Sequence, residues 1–324
     1  MATILVTGAA GFIGAHVCRA LLARGDTVIG ADNLSDYYDV RLKEARLDLL
    51  ADDRFTFRKV DIADRAAAAA LASPQITGVI HLAAQPGVRY SLENPYTYVT
   101  ANVMGQVVML ELARSLPGLK HFVYASSSSV YGANTKMPFS VDDPVEQPSS
   151  LYAATKRMDE LLGHTYAHLY GIPATGLRFF TVYGPWGRPD MSPIIFADAI
   201  SKGTPLALNN GGEMWRDFTY IDDIVEGVLR ALDRPPPAKE GAPPHRVYNL
   251  GNHKCEKLTD FIAEIEAALQ KKAKFETRPL PKGDVLRTYA DIEASRRDLG
   301  FEPKTPIAAG IPQFIAWYKD YYGV

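Results

Sequence analysis

Short apolar runs alternate with longer amphipathic stretches through the first half of the chain. Thr3–Thr7 reads as a buried strand, and residues 11–24 as a helix. Residues 27–31 form a second strand ending at Asp32, 55–60 a third ending at Asp61, 79–83 a fourth and 121–126 a fifth. Helical patterns lie between and after them, including the alanine-rich 65–71, the longer 96–116, and Leu151–Tyr170. Strands apolar on both faces and separated by helices predict an α/β fold built on a doubly wound parallel sheet. Ligands of such sheets sit at the carboxyl ends of the strands, so residues there carry the candidate chemistry.

After Gly184 the pattern loosens. Pro185, Pro189 and Pro193 crowd one loop, and two further proline clusters, at 235–237 and 243–244, bracket another. Residues 194–201, Ile221–Leu232 and Leu258–Leu269 are helical in pattern, and 246–250 reads as a strand returning to the main sheet. The expected organisation is a nucleotide-binding domain over 1–183, rejoined near 246–250, with a smaller interleaved substrate lobe from 184–245 and 251–324.

Lys plus Arg total 35 and Asp plus Glu 37, which leaves a formal charge of −2 and argues against a nucleic-acid binder. No apolar run is long enough for a membrane span, and Met1-Ala2-Thr3 leads straight into a strand without the charged and apolar regions of a signal peptide. Cys18 and Cys255 stand far apart, which predicts no disulfide framework and a reducing, cytoplasmic setting.

The turn Gly8-Ala9-Ala10-Gly11-Phe12-Ile13-Gly14 follows the first strand and opens the first helix, and Asp32 lies 18 residues past Gly14. Glycines let a backbone approach a pyrophosphate, and the helix N-terminus offers unpaired N–H groups and positive potential. A carboxylate at the end of the second strand accepts hydrogen bonds from ribose hydroxyls and repels a 2′-phosphate. That favours NAD over NADP and makes the sheet Rossmann-type.

Tyr152 and Lys156 are four apart and share one helix face. A free tyrosine has a pKa of about 10, and lowering it to near 7 takes roughly 4 kcal/mol of differential interaction. An adjacent ammonium and a bound cationic nicotinamide favour the phenolate in a partly dry cleft. Ser127 precedes Tyr152 by 25 residues, within the run Ser126–Ser129. Its hydroxyl would orient a reacting alcohol. Together the two sites predict oxidation of an alcohol by a bound nicotinamide. His81, by contrast, reads as a core histidine without a chemical role. His164 and His168 share a helix face, but Thr165 stands where a zinc-protease helix carries Glu, so no metal site is expected.

The G-x-x-G-x-x-G spacing, the Ser127–Gly132 segment and the Tyr152/Lys156 pair resemble the extended short-chain dehydrogenase/reductase family. Within it the chain resembles nucleotide-sugar 4-epimerases, those for UDP-glucuronate above all. The stretches carrying this are 32–39, 85–91, 180–191 and 215–218. The resemblance implies that Asn33, Asp61 and Ile62 contact the adenosine. It implies that Leu82, Ala83, Ala84, Gln85 and Asn102 line the cofactor, and that Phe180 packs near the nicotinamide. Thr181 and Arg216 would hold the diphosphate, and Arg89, Ser128, Ser129 and Asp284 complete the substrate-facing set. NAD would stay tightly bound and be recycled in each turnover. Pro86 departs from the Ala that relatives often carry. The resemblance also implies a homodimer formed by the helices at 96–116 and Leu151–Tyr170.

Related dehydratases and decarboxylases carry carboxylates just before V-Y-G, whereas here Ser127-Ser128-Ser129-Val130-Tyr131-Gly132 has none. That points to oxidation at C4 and re-reduction from the other face. A C4 ketone beside a uronate carboxylate is a β-keto acid, prone to lose carbon dioxide. Arg188, in Gly187-Arg188-Pro189-Asp190, is the expected bidentate clamp that holds the carboxylate out of line. The alternatives are an epimerase for UDP-glucose or UDP-N-acetylglucosamine, a net NAD-dependent nucleotide-sugar oxidoreductase, and a non-catalytic NAD-binding scaffold.

Overall fold

The structure, a computed structural model, describes residues 1–279 and 285–324. Among the described residues the strands are β1 (Thr3–Thr7), β2 (Thr27–Asp32), β3 (Phe55–Lys59), β4 (Ile76–His81), β5 (His121–Ser127), β6 (Ala174–Phe179), β7 (Thr181–Tyr183), β8 (Pro205–Asn209), β9 (Trp215–Arg216), β10 (Phe218–Tyr220), β11 (His245–Leu250), β12 (Glu256–Lys257) and β13 (Lys274–Arg278). The helices are α1 (Phe12–Arg24), α2 (Val40–Asp48), α3 (Arg65–Ala69), α4 (Tyr90–Glu93), α5 (Pro95–Tyr98), α6 (Gly105–Ser115), α7 (Leu151–Tyr170), α8 (Ser192–Lys202), α9 (Ile221–Leu232), α10 (Leu258–Leu269), α11 (Glu293–Leu299) and α12 (Ile307–Tyr322).

Seven strands form one parallel sheet in the order β11-β6-β5-β4-β1-β2-β3. The strand order reverses at β1, with β2 on one side and β4 on the other, so a ligand crevice opens above their carboxyl ends. One core, with Leu5, Val79, Met109 and Phe122, fills one face of the sheet. The other, with Ile4, Val17, Leu21, Ile80 and Val228, continues into the second lobe. The expected sheet, with 246–250 returning to it, is what forms.

Three differences from the sequence pattern have physical causes. The stretch 96–116 is not one helix: α5 runs into a π-helical turn, Val99–Met104, before α6. Such turns re-aim a side chain, and this one carries Asn102. Strand β6 is fully buried but carries Arg178, which breaks its apolar run and hides it from a hydrophobicity pattern. Helix α2 buries Leu42, Lys43 and Arg46, so its inner face is mostly polar and gives no amphipathic signal.

Outside the large sheet β7 pairs with β10, β8 with β13, and β9 with β12. Helices α8 and α12 pack on α10. Helix α9 packs instead against α1 and the large sheet, so this part of 184–245 lies with the first lobe. Among the described residues no helix is long and apolar enough to cross a membrane.

Candidate active site

The glycine turn is forced by close approach. Gly8 has φ +72°, and a Cβ there would lie 2.8 Å from the Ala83 nitrogen. A Cβ at Gly14 would stand 1.9 Å from the Gly8 carbonyl oxygen. Gly11 caps α1 without any side-chain hydrogen bond, and no acidic residue lies in the first turn. The N–H groups and positive potential there are left for an anionic ligand.

Asp32 ends β2 and is buried. Its Oδ2 accepts the Ala10 N–H at 3.2 Å and its Oδ1 the Leu34 N–H at 2.8 Å, so it shapes the turn it was expected to serve. Lys43 Nζ lies 3.7 Å from Asp32. Burial pushes the Lys43 pKa down, against the pull of Asp32. Asn33 donates to Asp61 across the neighbouring strand end. His81 is hydrogen-bonded to the Thr7 hydroxyl at 2.7 Å, and burial, with the Lys156 charge adding, takes its pKa down to about 3. It is a neutral core histidine.

Ser150 caps α7, whose first turn presents Tyr152. The Tyr152 ring meets Tyr98 edge-on at 6.1 Å. Lys156 Nζ donates to the Ala125 carbonyl at 2.9 Å and to Asp159 Oδ2 at 3.0 Å. Burial raises the Asp159 carboxyl to about 6, and Lys156 opposes that. At the end of β5, Ser127 Oγ accepts the Ser129 N–H at 3.2 Å. Ser126, on the opposite strand face, donates to Glu160 Oε1 at 2.7 Å. Ser128 and Ser129 follow in a tight 3₁₀ turn.

Arg188 is not an open fork. Its Nε and Nη2 bind the two oxygens of Asp190 at 3.0 and 2.5 Å, and Tyr37 donates to Asp190 Oδ2 at 3.2 Å. Its side chain is 19% exposed and faces the cavity. Arg216, on β9, donates to the carbonyls of Trp215 and Leu286 at 2.9 and 3.1 Å.

One cavity of about 970 Å³ gathers these groups. It is lined by Gly8, Gly11, Phe12, Ile13, Gly14, Asp32, Asn33, Asp61 and Ile62, and by Leu82, Ala83, Ala84, Gln85, Tyr152, Lys156 and Phe180. Arg89, Ser127, Ser128, Ser129, Thr181, Arg188 and Arg216 reach it as well. Asn102 does not line it. Its side chain accepts from the Gln85 N–H at 2.7 Å and donates to the Gln85 carbonyl and the Thr155 hydroxyl. Asn102 therefore pins the 82–86 loop to α7 from behind. Pro86 is held in the same way, its carbonyl accepting from the Tyr98 hydroxyl at 2.7 Å. Asp284 lies outside the described residues.

Sequence reasoning did not single out Tyr37, Lys43, Asn209 or Arg278, which also line the cavity. Asn209 and Arg278 are opposite partners at the ends of β8 and β13, a pairing that no local motif announces. Lys43 lies just past the 32–39 stretch, and the buried acid it pairs with, Asp32, was the only signal that could have found it.

A glycine turn on a bare helix N-terminus, an acid at the next strand end, and a serine–tyrosine–lysine group in one cleft define a nucleotide-dependent enzyme that moves a hydride and a proton at an alcohol. The chain belongs to the NAD dependent epimerase/dehydratase family, whose profile matches residues 4–251. It is 49% identical to UDP-glucuronate 4-epimerase 3 of Arabidopsis thaliana, over 99% of this chain and 77% of that protein. The UDP-glucuronic acid 4-epimerase of Bacillus cereus, solved with UDP-glucuronic acid and NAD, superposes with a TM-score of 0.90 at 35% identity, covering 99% of this chain and 100% of that one. The UDP-glucose 4-epimerase of Thermotoga maritima, solved with UDP-glucose, gives 0.87 at 28% identity, with 99% of each chain covered.

Proposed function

We propose that this protein is an NAD-dependent UDP-glucuronate 4-epimerase, an isomerase that interconverts UDP-glucuronate and UDP-galacturonate through a 4-keto sugar. The observation that carries this reading is one cavity holding the glycine turn, Ser127, Tyr152, Lys156 and Arg188, with no carboxylate in residues 127–132 to drive elimination. The similarity to enzymes named for UDP-glucuronate supports the choice of sugar.

The glycine turn and α1 N-terminus would hold the NAD pyrophosphate, and Asp32 with Lys43 the adenosine ribose. When bound, NAD supplies the acceptor and then the donor for the C4 hydride. Tyr152 takes the C4 hydroxyl proton as its phenolate and, once the keto sugar has turned its other face to the cofactor, returns that proton to the C4 oxygen. Ser127 holds that oxygen in line. Lys156, anchored by Ala125 and Asp159, keeps positive charge beside Tyr152. Thr181, Arg216, Asn209 and Arg278, which also line the cavity, would hold the diphosphate and uridine. Because the redox change cancels within a turnover, the cofactor need not leave.

Arg188 would meet the uronate through its Nη1 side, the edge that Asp190 does not occupy. The same Asp190 pairing supports a second reading. A neutralised Arg188 presents little net charge, as suits UDP-glucose. Incubation with UDP-glucuronate and with UDP-glucose, without added NAD, separates the two. UDP-galacturonate as the sole product supports the first reading, and UDP-galactose alone replaces it with the second.

We take residues 1–183 with the strand near 246–250 as the cofactor-holding part, and 184–245 with 251–324 as the UDP-sugar lobe, α9 serving the former. A homodimer is part of the proposal. Tyr96, Val99, Leu161 and Leu169 on α5, the π turn and α7 expose large apolar side chains. A monomeric mass by light scattering at micromolar concentration would count against it. Two free cysteines, one of them buried, suit a cytoplasmic location.

A further inference from the structure

Arg46 on α2 is among the largest fully buried side chains, yet among the described residues its hydrogen bonds reach no carboxylate. Nε donates to the Trp186 carbonyl at 3.0 Å. Nη1 donates to the Ala10 carbonyl at 3.1 Å and to the Tyr38 hydroxyl at 2.7 Å. Nη2 donates to the carbonyls of Trp186 and Gly187 at 2.7 and 3.1 Å. A buried guanidinium is costly unless its donors are met, and here each nitrogen finds an acceptor.

The acceptors come from two separate parts of the site. Ala10 belongs to the glycine turn, and its N–H is already held by Asp32. Trp186 and Gly187 open the loop that carries Arg188. Trp186 has φ +63°, a left-handed backbone that a tryptophan rarely adopts, so tertiary contacts must hold it. Its ring packs on Trp317 at 5.4 Å and Tyr321 at 5.2 Å, while its carbonyl turns to Arg46. The far end of the loop is tied by Tyr37 to Asp190, which holds Arg188. The segment 37–46 therefore grips the Arg188 loop at both ends.

We propose that Arg46 is a positioning residue that fixes the Arg188 loop to the glycine turn, so that one side chain sets the distance between the cofactor's pyrophosphate site and the clamp for the sugar's acid group. This rests on the reading that Arg188 meets a uronate. Loosening the strap moves Arg188 without touching the uridine end. Uronate affinity and control of decarboxylation should fall together, while UDP itself binds as before.

The test is Arg46→Lys in the NAD-loaded enzyme, which keeps the charge and reach but lacks the fork. Amide hydrogen exchange over residues 186–191 should quicken about tenfold, with 215–220 unchanged. The KM for UDP-glucuronate should rise about tenfold and the share of UDP-pentose should grow, with the Kd for UDP unmoved. In an Arg188→Ala background, Arg46→Lys should change neither KM nor product share further, because both act through one contact. Unchanged exchange over 186–191 overturns the strap whatever sugar is used. Effects that multiply in the double variant overturn the route through Arg188. Failure of the wild type to convert UDP-glucuronate, with the exchange result intact, instead removes the substrate assignment and leaves the strap standing. Tyr38→Phe, which deletes one acceptor and leaves Arg46 in place, should give a smaller shift in the same direction, and its absence counts against the proposal should Arg46→Lys not fold.

Discussion

Lys156 Nζ lies 3.0 Å from Asp159 Oδ2, with both side chains buried. The other Asp159 oxygen has no hydrogen-bond partner among the described residues. The carboxylate is therefore held mainly by the ammonium, on a lysine one helical turn along α7 from Tyr152. Part of the positive charge available to a phenolate is offset by this anion. Asp159→Asn removes the anion and keeps the shape. The base should then ionise more readily, and the acid limb of the pH–rate profile should move down by about one pH unit. A limb that stays in place or moves up would refute the coupling.

The proposed proton transfer rests on the Tyr152 hydroxyl. Tyr152→Phe removes the acidic proton and little else, since Tyr152 meets Tyr98 through its ring. Turnover should fall by about a hundredfold to ten-thousandfold. NAD retained on purification, measured after denaturing the protein, should match wild type. Near-normal turnover would take Tyr152 out of the base role.

The motifs legible in the chain were those whose chemistry is local. The glycine turn, Asp32, Ser127 and the Tyr152/Lys156 pair each announce themselves by spacing over a few residues, and all of them line the cavity. What could not be read was contact between distant segments. Asp159 stands only three residues from Lys156 on α7, but its burial against that ammonium shows only once α7 packs on β5 and β6. Arg46 looks like a surface helix residue until Trp186 and Gly187 arrive from 140 and 141 residues away. Asn102 was expected at the cofactor, and the π turn instead spends its side chain on the loop behind Gln85. In each case a polar residue is buried by tertiary structure, which hydropathy patterns register as exposed.

Glu160 shows how far the serine end of β5 depends on such burial. Its carboxylate accepts Arg178 Nε and Nη2 at 2.7 and 2.9 Å and the Ser126 hydroxyl at 2.7 Å. Glu160→Ala leaves the buried Arg178 charge unpaired and should cost about 3–5 kcal/mol in urea unfolding. Turnover should also drop, because Ser126 precedes Ser127. A loss below about 1 kcal/mol would mean that water reaches Arg178 and replaces the pair.

Asp217 gives a pH signature of the opposite sign to an ordinary ion-paired acid. Burial raises its carboxyl to about 6, although the N–H groups of Asn252 and Ala290 and the Thr219 hydroxyl all donate to it. An unfolded Asp titrates near about 3.9. Between these values the folded state holds a proton that the unfolded state releases, so this contribution to stability is present at low pH and lost as pH rises through about 6. Asp217→Asn cannot titrate. The stability of wild type relative to the variant should therefore be greater at about pH 4 than at pH 7 in urea unfolding. A difference independent of pH would show that the carboxyl is not shifted upward.

The proposed choice of a uronate substrate turns on Arg188. In the structure its guanidinium already holds Asp190 through Nε and Nη2, which fixes the plane of the fork and leaves Nη1 outside that pair, on a residue that lines the cavity. A uronate meeting that side would have its carboxylate charge localised and its C–C bond turned away from the C4 carbonyl π system, where loss of carbon dioxide is slow. Breaking a buried charge-assisted pair leaves the partner unpaired, at a typical cost of about 3–5 kcal/mol. Arg188→Ala should therefore cut turnover of UDP-glucuronate by about a hundredfold or more. The UDP-pentose released per turnover should rise, because a loosened carboxylate rotates into line with the ketone. Asp190→Asn should do less, since it frees the fork without removing it. A neutral UDP-hexose, where accepted, should be scarcely affected by either change. If Arg188→Ala epimerises UDP-glucuronate as well as wild type and releases no extra decarboxylated product, the clamp is elsewhere, and UDP-glucose becomes the substrate to test first.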